Sequence, residues 1–201
     1  MESKKVILKQ SLDDISALGY ELLNVTAEAK AGYAFQEEAG SGIDWGSIAH
    51  MAVEYACRNL SYYFKHETTE DKDDYSNAFE RLKVLCKKWL QENGSGEKGY
   101  NKLMQLVEKF IESPLFERIA NSEERYCEVP FAVKSGKRII NGVMDLVFKE
   151  DDGWVIVDYK TDDFESITDR KSVYLKQVEL YKKYWEEITG QAVSETLLYK
   201  I

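Results

Sequence analysis

Prolines, membrane-length apolar runs and secretory signals are missing or scarce in this chain of 201 residues. Only two prolines occur, and proline-rich stretches are typical of linkers, so long linkers are not expected. No stretch approaches the ~18 consecutive apolar residues of a membrane helix. Residues 1–11 lack the apolar run and cleavage site of a secretory signal. We therefore expect one compact cytoplasmic domain with no membrane partner, since domains commonly have ~100–200 residues.

Cysteine is also rare. Cys57, Cys86 and Cys127 are an odd number, and their spacing matches no zinc or redox pattern. Because free cysteine is usually buried, we expect reduced, buried thiols. An iron–sulfur cluster normally takes four cysteine ligands, so we expect no such cluster.

Basic residues are fewer than acidic residues, and the formal net charge is −9. Phosphate binding depends on Lys and Arg, so composition alone is evidence against a nucleic-acid partner. Five of the 36 acidic residues lie in Glu67–Asp74, away from the candidate site in sequence, and a bound divalent ion or a larger parent protein could supply positive charge. No Walker-type glycine-rich loop occurs, so we expect no nucleotide cofactor and no ATP-driven motor within these residues.

The spacing of hydrophobic residues predicts helices first and strands afterwards. Helices are predicted over Asp13–Lys30, Trp45–Phe64, Tyr75–Gln91, Tyr100–Ile111 and Ser172–Ile188, with a polar loop over His66–Asp74. Strands are predicted over Arg125–Lys134, Arg138–Lys149, Trp154–Lys160 and Val193–Ile201. This order predicts an α/β (α+β) domain with a mixed central sheet flanked by helices. Residues 1–120 form its mostly helical portion, and residues 121–201 form its sheet and last helix.

A charged pair interrupts the apolar strand 154–160. Asp158 and Lys160 are two residues apart, so they share one face of the strand. A buried carboxylate is costly unless something positive compensates it. Lys160 on the same face would be placed to orient or help deprotonate a water. The alternative is a surface pair at a strand end, since short motifs often arise by chance.

The hairpin register adds a second carboxylate. If residues 150–153 form a four-residue loop, Lys149 pairs with Trp154 and Asp145 falls opposite Asp158. Directly opposed like charges destabilise a strand pair, whereas a shared cation makes both groups ligands. Hard oxygen ligands suit Mg²⁺ or Mn²⁺. The pattern therefore favours a divalent-metal site.

Three further residues have two interpretations each. His50 lies at the edge of a helical apolar stripe, where a lone histidine is usually a core or boundary residue, although imidazole is a good metal ligand. Gln177 and Tyr181 are four residues apart and project from one helix face. They could face a substrate, or Tyr181 could pack in the core with its hydroxyl bonded.

The segments together resemble the RecB family of the PD-(D/E)xK nucleases, and most of all the C-terminal nuclease domain of AddA-type helicase–nucleases. The stretches that carry the resemblance are Gly46–His50, Glu128–Phe131, Asn141–Val147, Val157–Asp162 and Gln177–Tyr181.

The resemblance implies an endonuclease-like core and a set of site residues. The implied metal ligands are His50, Asp145, Asp158 and the backbone carbonyl of Tyr159. It further implies Lys160 as the catalytic lysine, Gln177 and Tyr181 near the DNA backbone, and Glu128 as a weaker DNA-proximal or supporting residue.

We therefore predict a single nuclease domain over residues 1–201 that hydrolyses DNA phosphodiesters with Mg²⁺ or Mn²⁺. The resemblance implies DNA ends or single strands as substrate and resection of double-strand breaks as the role. A helicase motor in the same parent chain or complex is a possible partner; a free-standing nuclease is the other arrangement. Two alternatives stay open: an inactive DNA-binding module of the same fold, and an acidic protein-interaction domain.

Overall fold

The computed structural model of the chain describes residues 21–25, 45–63, 69–94, 96–162 and 168–201. In these ranges the helices are α1 (Trp45–Tyr55, continued by a π-helical segment, Ala56–Leu60), α2 (Thr69–Glu92), α3 (Glu97–Ile111), α4 (Pro114–Asn121) and α5 (Thr168–Thr189). The strands are β1 (Glu21–Asn24), β2 (Arg125–Ser135), β3 (Arg138–Glu150), β4 (Gly153–Lys160) and β5 (Val193–Lys200). No helix in the described part of the chain is long and apolar enough to cross a membrane.

The described residues divide into two compact units. The first, which we call the sheet unit, contains the described residues 21–25, 128–158 and 168–199. The second, which we call the helical unit, contains the described residues 45–63, 69–94, 96–127, 159–162 and 200–201.

The sheet is mixed. Its described strands lie in the order β1-β3-β4-β5, and β2 also pairs with β3. Strand β1 runs parallel to β3, with Asn24 level with Asn141, whereas β3 and β4 are antiparallel. The predicted α/β class with one mixed sheet is confirmed.

The β3–β4 hairpin has the predicted register. Lys149 pairs with Trp154, and the loop is one residue shorter at each end than predicted, because Glu150 still pairs with Gly153. Gly153 has a φ of +141°, and a Cβ there would lie 3.1 Å from the carbonyl oxygen of Ala192. This close approach to β5 and the positive φ both favour glycine.

The core of the sheet unit lies between the sheet and α5. Alternation along β4 puts Trp154 and Ile156 on one face, and both belong to the same buried cluster as Tyr181 and Trp185 of α5. The Trp154 and Trp185 rings have centroids 4.8 Å apart. Burial of each large side chain contributes roughly 1.5–3 kcal/mol, so this cluster fixes the face of β4 that carries Asp158.

The helical unit has its own apolar packing. On α1 the buried residues are Ile48, Ala49, Ala52 and Val53, which recur at helical spacing. Helix α1 contacts α2 and α3, and α3 contacts α4. The Phe110 ring of α3 packs against the Phe116 ring of α4, with centroids 5.5 Å apart.

Two predicted elements were wrong. The helix expected over Asp13–Lys30 is a strand over Glu21–Asn24, because pairing with β3 overrides the weak helical periodicity. Apart from Val25, the remainder of that range lies outside the described residues. The loop expected over His66–Asp74 is helical from Thr69 onward, so the charged composition of this segment did not exclude a helix.

Helix α4 was not predicted. Pro114 marks the end of the preceding helix, as the sequence indicates, but it also occupies the first turn of α4. Ser113 caps this helix, since its hydroxyl accepts a 3.2 Å hydrogen bond from the Phe116 N–H. A serine followed by proline is a common helix start, and that signal was present in the sequence.

Candidate active site

Two acidic residues, Asp145 and Asp158, lie at the end of the β3–β4 hairpin that is far from its turn. The register pairs Leu146 with Val157, and its next step places Asp145 opposite Asp158. Directly opposite residues of an antiparallel pair lie on one face of the sheet. Asp158 is only 2% exposed, while Asp145 is half-buried. The observed register agrees with the predicted opposition of these two acids, and a cation shared by their carboxylates stays a prediction.

The burial of Asp158 has a physical cost. An ionised carboxylate removed from water is strongly destabilising unless a cation or hydrogen-bond donors compensate it. A half-buried second carboxylate opposite it adds like-charge repulsion. A divalent ion removes both costs, and two acidic side chains are the oxygen donors that Mg²⁺ and Mn²⁺ prefer. The residues present therefore fit such an ion.

A third acid lies beside Asp145. Glu128 on β2 offers a carboxylate oxygen within 4.8 Å of a carboxylate oxygen of Asp145. Its φ is +52°, in the left-handed region that costs a residue with a side chain roughly 1–2 kcal/mol. The resemblance gave Glu128 only a minor role, and its proximity to Asp145 could not be seen from sequence spacing.

The end of β4 carries the two residues that follow Asp158. Alternation along the strand puts Lys160 on the same side as Asp158 and Tyr159 on the other. Lys160 is half-buried, and its carbonyl accepts a 2.9 Å hydrogen bond from the Ile201 N–H. This bond to the residue after β5 holds the strand end. The ligand role of the Tyr159 carbonyl stays a prediction.

His50 lies on α1 in the helical unit and is half-buried. Its ring meets the Tyr159 ring edge to face, with centroids 6.0 Å apart. Tyr159 in turn packs edge to face on Phe110 at 5.7 Å. Aromatic contacts therefore restrict the imidazole, and its role as a metal ligand stays a prediction.

Gln177 and Tyr181 form a buried pair on α5. Gln177 is 3% exposed and Tyr181 is fully buried. The Gln177 side-chain amide donates a 2.6 Å hydrogen bond to the Tyr181 hydroxyl, and Tyr181 belongs to the core of the sheet unit. Tyr181 therefore packs as the second interpretation predicted, and contact of either residue with DNA stays a prediction.

The three cysteines are free and buried, as expected. Burial raises the pKa of the Cys57 thiol well above its ordinary value and that of Cys86 to about 12. The pKa of Cys127 is lowered, chiefly by a hydrogen bond from Cys57. Sequence spacing gave no sign of this thiol pair, because its members lie on separate elements.

Comparison with known proteins agrees with this architecture. A family model described as the PD-(D/E)XK nuclease superfamily matches residues 20–201. An ATP-dependent helicase/nuclease subunit from Carboxydothermus hydrogenoformans is 37% identical over 47% of this chain and 9% of its own length. The protein of the same name from Thermoanaerobacter sp. (strain X514) is 36% identical over 46% of this chain and 9% of its own length. This chain thus spans less than a tenth of these relatives.

A structural comparison is much weaker. The crystal structure of protein VC1899 from Vibrio cholerae aligns with a TM-score of 0.34 and 12% identity, over 78% of this chain and 46% of that chain. A similarity of this size adds nothing to the fold assignment. The family model, in contrast, matches nearly the whole chain, and the resemblance seen in the motifs is confirmed: the chain belongs to the PD-(D/E)XK nuclease superfamily and has its fold.

Proposed function

We propose that this chain is a metal-dependent DNA nuclease that hydrolyses phosphodiester bonds. The observation that carries the proposal is the buried Asp158 carboxylate, which the hairpin register aligns with Asp145. A carboxylate pair of this kind is costly for folding, so its presence favours a role that needs it. Membership of a nuclease superfamily supports hydrolysis of nucleic acid as that role.

In this proposal Asp145, Asp158, His50 and the Tyr159 carbonyl hold one or more Mg²⁺ or Mn²⁺ ions. When bound, a divalent ion supplies a Lewis acid that polarises a phosphate oxygen and makes a neutral-pH nucleophile available. Lys160 orients the attacking water and places a fixed positive charge beside the phosphate as negative charge develops there.

Residues of α5 contact the substrate, and a residue of β2 supports the carboxylate site. Gln177 contacts the DNA backbone, and Tyr181 acts through the hydrogen bond that holds the Gln177 amide. Glu128, next to Asp145, supports the carboxylate site. Lys171 and Lys176 are exposed on α5 and would contact phosphates, which partly offsets a net charge of −9.

We place the chain beside a helicase motor in a larger parent protein or complex that resects double-strand breaks in the cytoplasm. The support is that its curated relatives are named helicase/nuclease subunits and that the chain matches less than a tenth of each. DNA ends or single strands are the substrates that such an arrangement would deliver. A motor could also supply the positive charge that this chain lacks.

Cleavage of linear DNA with Mg²⁺ or Mn²⁺ tests the proposal. We expect Asp158→Asn, Asp145→Asn and Lys160→Ala each to lower the cleavage rate by at least about 100-fold, since preorganised charge at the reacting phosphate supplies several kcal/mol. Asp152→Asn is the matched control, because Asp152 lies exposed in the hairpin turn, and its rate should equal wild type. Equal cleavage by all five proteins would overturn the proposal.

Metal binding gives a second readout that does not need cleavage. Mn²⁺ should raise the melting temperature of the wild type and of Asp152→Asn but not of Asp158→Asn, because an ion stabilises only the state that binds it. Binding of Mn²⁺ and DNA without cleavage would favour an inactive binding module of the same fold. A melting temperature unchanged by Mn²⁺ would contradict the metal site itself.

A further inference from the structure

The helical unit contains a pair of thiols that the nuclease function does not use. Cys57 lies in the π-helical segment Ala56–Leu60, and Cys127 lies on β2. Each thiol shifts the pKa of the other, and both residues line the same surface cavity, so the two side chains lie near each other. Single π-helical turns often mark functional positions. Cys86, on α2, is the third buried cysteine and offers an internal control.

Arg58 ties the two elements together. It follows Cys57 in the chain, and its Nη2 donates a 2.9 Å hydrogen bond to the Cys127 carbonyl. Its Nε also bonds the Glu54 carboxylate at 2.7 Å. A covalent link between these cysteines would therefore join segments that this hydrogen bond already holds side by side.

A small oxidant has a route to the pair. A surface cavity of about 470 Å³ is lined by both cysteines together with Arg58 and Arg125. Cys127 is 9% exposed, whereas Cys57 is fully buried. Two glutamates line the cavity as well, but the hydrogen bond from Cys57 and the two arginines lower the pKa of Cys127 more than burial raises it, which favours the thiolate that reacts with oxidants. Cys127 is thus the sulfur that an oxidant meets first, with Cys57 behind it.

We infer that Cys57 and Cys127 are a redox-active pair that forms a reversible disulfide in response to hydrogen peroxide. The Cys127 thiolate attacks one peroxide oxygen, the O–O bond breaks, and the hydroxide that leaves takes up a proton to become water. Cys57 then attacks the Cys127 sulfur of the sulfenic acid, an S–S bond forms, the S–O bond breaks, and a second water leaves. Two thiols lose two electrons in total, and peroxide gains them. A dithiol reductant reverses the reaction by thiol–disulfide exchange.

The pair also contacts the candidate active site within the helical unit. The Cys57 sulfur lies 3.7 Å from the Tyr159 hydroxyl, and the Tyr159 ring packs against His50. Disulfide formation removes the Cys57 S–H from this contact, which changes the hydrogen bonding of the Tyr159 hydroxyl beside His50. This consequence rests on the proposed function, in which both residues hold a metal ion, and it predicts weaker Mn²⁺ binding by the oxidised protein.

Mass spectrometry of the full chain under non-reducing conditions tests the disulfide without any nuclease assay. After hydrogen peroxide treatment, the wild type and Cys86→Ser should each lose two hydrogen atoms in mass and yield one cross-linked peptide pair containing Cys57 and Cys127. Dithiothreitol should restore both. Cys57→Ala should instead accumulate a sulfenic acid at Cys127 that dimedone traps, and Cys127→Ala should form no intramolecular disulfide.

Circular dichroism confirms that each variant is folded, and Cys57→Ser serves as a second variant if Cys57→Ala is not. A wild-type protein that reaches sulfinic acid at Cys127 without forming the disulfide would overturn the inference. So would cross-links to Cys86 at the same yield as to Cys57.

The coupling to the active site has its own measurement. A Mn²⁺ titration should show weaker binding by the oxidised wild type than by the reduced form, with no such difference in Cys127→Ala. A disulfide that forms while Mn²⁺ affinity stays the same would overturn the coupling alone. Reduced protein that binds no Mn²⁺ would count against the proposed function and leave the disulfide result standing.

Discussion

The sheet unit and the helical unit both bury polar or titratable side chains, but of different kinds. The sheet unit buries the Asp158 carboxylate and the Gln177 amide, whereas the helical unit buries the thiols of Cys57 and Cys86. A thiol packs almost as an apolar group, while an ionised carboxylate out of water costs several kcal/mol. Burial alone therefore points to function for Asp158 but not for a cysteine, where a second observation such as the Cys57–Cys127 contact is needed.

The largest expected effect is at Asp158, where the more stable of the wild type and the Asp158→Asn variant should depend on whether Mn²⁺ is present. In EDTA, Asp158→Asn should be more stable than wild type by roughly 1–2 kcal/mol, because it removes a buried charge. With Mn²⁺ at a hundred times its dissociation constant, the wild type should gain about 2.7 kcal/mol and the variant nothing. Urea unfolding under both conditions measures the crossover. A variant less stable than wild type in EDTA would show that the carboxylate is a structural group.

Replacing a buried thiol with a polar group should change the free energy of unfolding in the opposite direction, towards lower stability. Cys86 lies between Leu82 and Leu90 on the buried stripe of α2. Cys86→Ser should lower the free energy of unfolding by roughly 1–3 kcal/mol, because it buries a hydroxyl in an apolar setting. Cys86→Ala, the apolar control, should cost less, since alanine favours helix and needs no hydrogen bond. If serine were the better tolerated of the two, the apolar description of this thiol would be wrong.

A smaller effect is expected at the Gln177–Tyr181 pair. Tyr181→Phe removes the 2.6 Å hydrogen bond and should cost about 1 kcal/mol of stability. Under the proposed function it should also raise the KM for DNA and leave kcat unchanged, because only the orientation of Gln177 is affected. Steady-state kinetics with Gln177→Ala as the comparison checks this. An unchanged KM in both variants would restrict the pair to core packing.

The smallest effect is expected at the strained backbone of Glu128. Glu128 has a φ of +52°, and Glu128→Gly removes the strain of this conformation, which stabilises the folded state by roughly 1–2 kcal/mol. Glycine also makes the unfolded chain more flexible, which lowers the free energy of unfolding by about 0.5–1 kcal/mol. A net stabilisation of about 0.5–1 kcal/mol by urea unfolding is expected. Glu128→Gln keeps the strain and, as an exposed substitution, should stay within about 0.5 kcal/mol of wild type. A glycine variant no more stable than the glutamine variant would show that Glu128 is unstrained in solution.

The hairpin could be predicted from sequence because its determinants are local. Alternation assigns Asp158 and Lys160 to one face, and a short polar loop fixes the pairing of Lys149 with Trp154, which in turn aligns Asp145 with Asp158. The strand at Glu21–Asn24 could not be predicted in this way. Its partner is β3, more than a hundred residues further along the chain, and local periodicity contains no information about such a partner.

The mixed α/β class and the face of β4 that carries Asp158 could be predicted from the residues alone, because each depends on spacing within a few residues. The family could be predicted as well, because short motifs occur in the same order along the chain. Three features became known only from the fold: Glu128 lies beside Asp145, Tyr181 packs in the core, and Cys57 and Cys127 line one cavity. These contacts join residues far apart in the chain. They are set by the packing of whole helices and strands, which the spacing of individual residues does not specify.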